Sequence, residues 1–214
     1  MDAPTAGKIL GIPPEQAIGH FVGGIRETFE EARVLLAVDR SGSPVSNDEV
    51  DAAHTALSRM GWLQMLVERD WFLDLGQLRY FSHWITPKVA PRRFSARFFI
   101  ARAPVSQVAS FDAFETTDGQ WFTADGALEA HVARKLVLPP PQLRTLMQLR
   151  EIDSVKHMLE HAAHRPVPAV EPVFITGDPP RLVLEGDELH PLVPGVHRRR
   201  FNKRQNQWIP EFSD

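Results

Sequence analysis

Between residues 12 and 38 the apolar side chains recur as Ile18, Phe21, Val22, Ile25, Phe29, Ala32 and Leu36. That spacing of threes and fours is the stripe of an amphipathic helix. Ile12-Pro13-Pro14-Glu15 supplies a start, with proline in the first turn and an acid near the positive end of the helix dipole. The helix is expected to run to about Val38-Asp39. Opposite the stripe stand Arg26, Glu27, Glu30 and Glu31. Three carboxylates at i, i+3 and i+4 share one face and repel one another, so the grouping invites a counter-charge. An all-oxygen set of this kind suits a hard divalent cation such as Mg²⁺ or Mn²⁺. Ion pairs from Arg26 and Arg33 to Glu30, at i+4 and i−3, would serve a solvated surface helix equally well. The residues alone leave both readings open.

Downstream, Arg40-Ser41-Gly42-Ser43-Pro44 reads as a loop, and Ser46-Asn47-Asp48-Glu49 as a capped helix start. Residues 52–75 are helical in composition, with a break at Gly61. Residues 78–86 read as a strand, as do residues 92–101, which place Phe94, Ala96, Phe98 and Ile100 on one face and Arg93, Ser95, Arg97 and Phe99 on the other. A short strand is expected over 120–123, then helices over 124–136 and from the prolines at 139–141 to Glu151. Past residue 165, prolines punctuate short β-like runs at 173–176, 181–184 and 197–201. Strands interleaved with helices predict an α/β (α+β) fold with a mixed sheet.

The chain has 214 residues, enough for one core with an extension or for two small domains. A net charge of −3 gives no whole-protein drive towards nucleic acid or anionic membrane. Cysteine is absent, which excludes disulfides and thiolate catalysis and fits a reducing, cytoplasmic setting. No apolar run reaches a membrane-spanning length. His157, His161 and His164 fall at i, i+4 and i+7 of an expected helix, a spacing open to a transition metal. With no thiol and no acid in line, a surface cluster is the preferred reading. The basic run 197–204 splits between two faces if it is a strand, which favours a solvated hairpin or an interface over a nucleic-acid surface.

The run Arg26-Glu27-Thr28-Phe29-Glu30-Glu31-Ala32-Arg33-Val34 resembles the second half of the Nudix box, Arg-Glu-aliphatic-x-Glu-Glu-x-Gly-aliphatic. The wider string EQAIGHFVGGIRETFEEARVLLA (15–37) resembles one branch of that superfamily, the acyl-coenzyme-A diphosphatase-like Nudix hydrolases. So do FSHWITP (81–87), PRRFSARFF (91–99), QWFTADGAL (120–128) and LPPPQLRTL (138–146). The resemblance covers roughly residues 12–150. Three departures stand out. The Gly and Glu that open the box are not at their spacing and would lie before residue 1. Residues 1–11 hold no strand to stand for those that usually precede the box. Arg33 occupies the position of the last box Gly, where a positive φ is needed and a side chain costs on the order of 1 kcal/mol.

The resemblance implies a Nudix-like α/β/α sandwich over 1–152, with a helical insertion at about 46–76 and a C-terminal extension over 153–214. It implies Glu27, Glu30 and Glu31 as ligands of Mg²⁺ or Mn²⁺, with Glu27 as ligand or general base and Arg26 orienting a carboxylate. A further acid would come from a distant loop: Glu115, with Asp112 and Asp118 as alternatives. Arg93 and Arg97 would bind phosphate oxygens. The activity implied is hydrolysis of a diphosphate bond in a nucleoside diphosphate linked to another moiety, with coenzyme A or acyl-coenzyme A favoured. The alternative is a catalytically impaired Nudix-fold module that binds a ligand or a protein. A sheet lacking its leading strands would expose an edge, which predicts a homodimer or a native start further upstream.

Overall fold

The stripe folds as expected in a computed structural model that describes residues 1–110 and 119–213. The chain forms two compact units. The first comprises Met1–Tyr80 and Phe99–Gln120, the second Phe81–Phe98 and Trp121–Asp214.

In the first unit, residues 3–10, where no strand was expected, form helix α1 (Ala3–Leu10), capped by the Asp2 carboxylate accepting from the Thr5 N–H at 2.9 Å. Helix α2 (Pro14–Ala32) starts on Pro14 and buries Ala17, Phe21, Ile25 and Phe29, one residue per turn. It ends earlier than the sequence suggests. Arg33 turns left-handed at φ 53°, and its N–H bonds back to the Phe29 carbonyl at 3.1 Å. The next four residues, Val34 to Ala37, are all buried. A helix would bury one side of that run, whereas an extended chain can bury it whole. It leads into β1 (Ala37–Val38), antiparallel to β2 (Phe72–Leu73).

Between these strands lie α3 (Asn47–Leu57) and α4 (Trp62–Arg69). Ser46 and Glu49 form the predicted capping box, and Gly61 marks the break between the helices. The helical composition of 52–75 is cut short at Asp70, which adopts φ 57° and releases Phe72 and Leu73 to pair with β1. Strand β3 (Arg79–Ile85) follows, and then β4 (Ser95–Ile100). Phe99 lies 4.8 Å from Phe21 and 5.8 Å from Tyr80 between ring centroids. Gly24 permits the approach on this side, since a Cβ there would sit 3.3 Å from the Phe99 ring.

The second unit holds α5 (Ala124–Val132), α6 (Pro140–Leu149) and α7 (Val155–His164). Residues 119–123 form no strand. Instead Thr123 caps α5 by accepting from the Gly126 N–H at 3.0 Å. Strand β5 (Ala169–Val170) runs parallel to β3, so β3 lies between β4 and β5. Strands β6 (Val173–Ile175), β7 (Arg181–Val183), β8 (Arg199–Arg204) and β9 (Gln207–Phe212) make a four-stranded antiparallel sheet in that order. Trp84, Leu143, Leu182, Leu184 and Phe201 form the core beneath it. His131 ties α5 to β9. Its Nε2–H donates to the Trp208 carbonyl at 2.9 Å, which leaves Nδ1 to accept from the Leu138 N–H at 3.1 Å. Helices with parallel and antiparallel strand pairs make the fold α+β, as the element pattern predicts. Among the described residues no helix is long and apolar enough to cross a membrane.

Candidate active site

Helix α2 is fixed from behind. Phe29 meets the His54 ring and the Trp62 ring, each at 5.5 Å, and His54 Nε2 lies 3.0 Å from the carbonyl oxygen of Glu30. A carbonyl only accepts, so this contact sets the Nε2–H tautomer of His54. With that face packed, Arg26, Glu27 and Glu31 are exposed, and Glu30 is half-buried.

The counter-charge is partly local. Arg26 Nη2 lies 3.2 Å from Glu27 Oε1, and Arg26 Nε lies 3.3 Å from Glu30 Oε1. The pair from Arg26 to Glu30 is the one the spacing predicts. The pair from Arg33 to Glu30 does not form. The left-handed turn at Arg33 carries its guanidinium to Asp51 on α3 instead, at 3.7 Å. The last Gly of the box thus keeps its conformation here with a side chain in its place, and that side chain pairs with Asp51 rather than with Glu30.

Among the described residues no three histidine or acidic groups converge as a metal cage. Carboxylates on successive turns of one helix splay over its surface, and a cage needs a donor from another element. The donor chemistry nonetheless fits a hard divalent ion, since Glu27, Glu30 and Glu31 offer only carboxylate oxygens. Glu115, Asp112 and Asp118 lie outside the described residues. The chain leading to them is anchored at the end of α2. The Ser110 N–H donates to the Ala32 carbonyl at 3.0 Å, and the Val108 N–H donates to Asn47 Oδ1 at 2.8 Å. Gln107 grips the segment after α2 from both sides. Its Oε1 accepts from the Leu35 N–H at 2.9 Å, and its Nε2 donates to the Leu35 and Val45 carbonyls at 3.0 and 2.9 Å. Sequence reasoning did not find Gln107, because a lone amide between loops carries no periodic signal.

Arg93 and Arg97 belong to the second unit, whereas Glu27, Glu30 and Glu31 belong to the first. Arg93 is engaged: its Nε donates to the Thr86 carbonyl at 2.9 Å, and its Nη2 pairs with Glu171. Arg97 is half-buried on β4. On α7, His157 bonds to Asp153 at 3.2 Å and His164 to the Glu160 carbonyl at 2.9 Å, so both rings are used locally. The basic run becomes one arm of the β8–β9 hairpin, and Arg198 and Arg200 find carboxylates within the unit.

A family model described as the NUDT19 Nudix domain matches residues 4–149. The chain is 28% identical over 193 residues to the acyl-coenzyme A diphosphatase NUDT19 of Xenopus laevis, covering 80% of this chain and 51% of that one. It is 25% identical over 198 residues to the human protein of the same name, covering 84% and 52%. The chain spans about half the length of these curated relatives. Among solved structures it is similar to a Nudix hydrolase from Alicyclobacillus acidocaldarius, with a TM-score of 0.53, 25% identity and coverage of 68% of this chain and 67% of that one. The acidic face of α2 therefore lies within the matched segment, and the chain belongs to the NUDT19 Nudix domain family.

Proposed function

We propose that this chain hydrolyses a diphosphate bond in a nucleoside diphosphate linked to another moiety, with coenzyme A or acyl-coenzyme A as substrate. The observation that carries the reading is the placement of Glu27, Glu30 and Glu31 on the open face of a helix whose other face packs through Ala17, Phe21, Ile25 and Phe29. The substrate class is taken from the acyl-coenzyme A diphosphatases to which the chain is similar.

A diphosphate resists hydrolysis because its anionic oxygens repel a nucleophile. Glu27, Glu30 and Glu31 would hold the cation, Mg²⁺ or Mn²⁺, whose chemistry there is charge neutralisation and activation of a water. Arg26 bridges Glu27 and Glu30, each through Oε1, and so orients the carboxylates. Glu115 is the proposed further acid, with Asp112 and Asp118 as alternatives. Arg93 and Arg97 are proposed as phosphate ligands, Arg93 by exchanging Glu171 for substrate. A homodimer is proposed as well, and a monomeric mass by light scattering would contradict it.

A second reading, a binding module without catalysis, is favoured by one observation: a single guanidinium already occupies two of the three carboxylates. Hydrolysis of coenzyme A and of ADP-ribose with Mg²⁺ or Mn²⁺, compared between the wild type and Glu30→Gln, separates the two. The hydrolase reading expects activity that the substitution removes. Equal, negligible turnover in both proteins with ligand binding retained supports the module.

A further inference from the structure

The second unit contains a cavity of about 260 Å³ whose polar wall is dominated by arginine. Its size lies near the lower end for small-molecule sites. Arg144 from α6, Arg165 just after α7 and Arg199 on β8 all line it. Each is placed by a different element. Arg144 lies over the Phe212 ring, 4.6 Å from the centroid. Phe212 is the cross-strand partner of Arg199, so those two side chains share one face of the hairpin. Arg165 lies over the Phe81 ring at 4.3 Å and donates to the Phe81 carbonyl.

These three differ from their neighbours. Arg198 and Arg200 pair with Glu211, Asp187 and Glu188. Among the described residues, Arg144, Arg165 and Arg199 have no ion pair with a carboxylate. Two acids do line the cavity, but Glu171 is held by Arg93, and Glu185 stands alone against three cations. Two further donors at this wall are unsatisfied: Arg165 Nε and the Ser82 hydroxyl are buried without hydrogen-bond partners among the described residues. The Arg144 guanidinium is shifted down, first by burial and then by the charges of Arg199 and Arg165. Like charges gathered at a half-buried wall are unfavourable unless an anion joins them. A carboxylate offers two oxygens, whereas a phosphate group offers enough acceptors for three guanidinium groups and a hydroxyl.

We infer that this cavity binds a phosphate group, either as the free ion or as the terminal group of a phosphomonoester. The inference is independent of the hydrolase reading, since no box residue lines the cavity and no divalent ion is needed. The test is calorimetric titration of the full chain, in chelator and low salt, with inorganic phosphate and with adenosine 5′-monophosphate. Wild type is compared with Arg144→Gln, Arg199→Gln and the control Arg40→Gln. Saturable binding is expected, weakened about tenfold or more by either cavity substitution and unchanged in the control. Tighter binding of the monoester assigns the esterified group, and tighter binding of phosphate assigns the free ion. Arg199 is exposed, so its substitution reads the site even if Arg144→Gln folds poorly. Absence of saturable binding of both probes, or equal affinity in wild type and Arg199→Gln, overturns the inference.

Discussion

On α2 the charged residues face outwards, and the helix is held by Ala17, Phe21, Ile25 and Phe29, all of them fully buried. In the β8–β9 hairpin the arrangement is reversed. Asp187 is 0% exposed and Arg200 only 6%. Asp187 accepts from the Leu189 N–H at 2.8 Å, the Arg199 N–H at 2.6 Å and Arg200 Nε at 2.9 Å, so one carboxylate organises the loop entering β8. Burial alone would lower the Arg200 guanidinium, yet its bonds to Glu188 and Asp187 leave it raised. A cluster of charge therefore has no fixed meaning. Where apolar residues do the packing, charge is available for chemistry. Where charge is buried and satisfied, it maintains the fold.

Substitutions can break this contrast. Phe29→Ala should destabilise the chain by about 4 kcal/mol in urea denaturation, as expected for a fully buried aromatic. Glu27→Gln, on the same helix, should stay within about 0.5 kcal/mol. Asp187→Ala should cost about 3 kcal/mol, because it removes the acceptor of the buried Arg200 Nε and of two N–H groups. Should Asp187→Ala prove as mild as Glu27→Gln, the contrast collapses.

Smaller effects sharpen it. Arg33→Gly should raise stability by up to about 1 kcal/mol, by relieving the left-handed conformation at the loss of an exposed pair with Asp51. The acid limb gives the smallest effect. The Glu49 carboxyl is held below its ordinary value of 4.5, first by the Ser46 hydroxyl and then by the Ser46 N–H. A depressed carboxylate stabilises the fold fully above its unfolded value, and that contribution is lost as pH falls through the folded one. Ser46→Ala should therefore flatten the loss of stability below about pH 4.5, measured by thermal melts across pH. An unchanged acid limb would contradict the assignment.

The parts of the fold legible in the sequence are those fixed by local rules. The stripe of α2, the capping box at Ser46 and Glu49, the break at Gly61 and the strands after Leu78 and Arg92 follow from periodicity and turn chemistry. What escaped depends on partners. Val34 to Val38 reads as more helix until β2 arrives to pair with Ala37 and Val38. Residues 120–123 have strand composition but find no pairing strand among the described residues, and Trp121 is left 77% exposed. Strand β9 was missed because Pro210 interrupts it, which an edge strand tolerates, and because its turn uses Gln205 and Asn206 at φ 46° and 69° in place of glycine. Within the candidate site, the outward glutamates and the pair from Arg26 to Glu30 were legible from spacing. The route of Arg33 to Asp51 and the grip of Gln107 are tertiary and left no local trace. The same holds for the cavity arginines, which are remote from one another in the chain and meet only through Phe212 and Phe81.

The central claim is that the open face of α2 is a divalent-cation site. Titration of Mn²⁺ into the full chain, followed by electron paramagnetic resonance of the free ion, tests it directly. The account predicts saturable uptake by the wild type and its loss in Glu30→Gln, with the two proteins melting alike in chelator. Uptake that is absent from the wild type, or equal in both proteins, would contradict it.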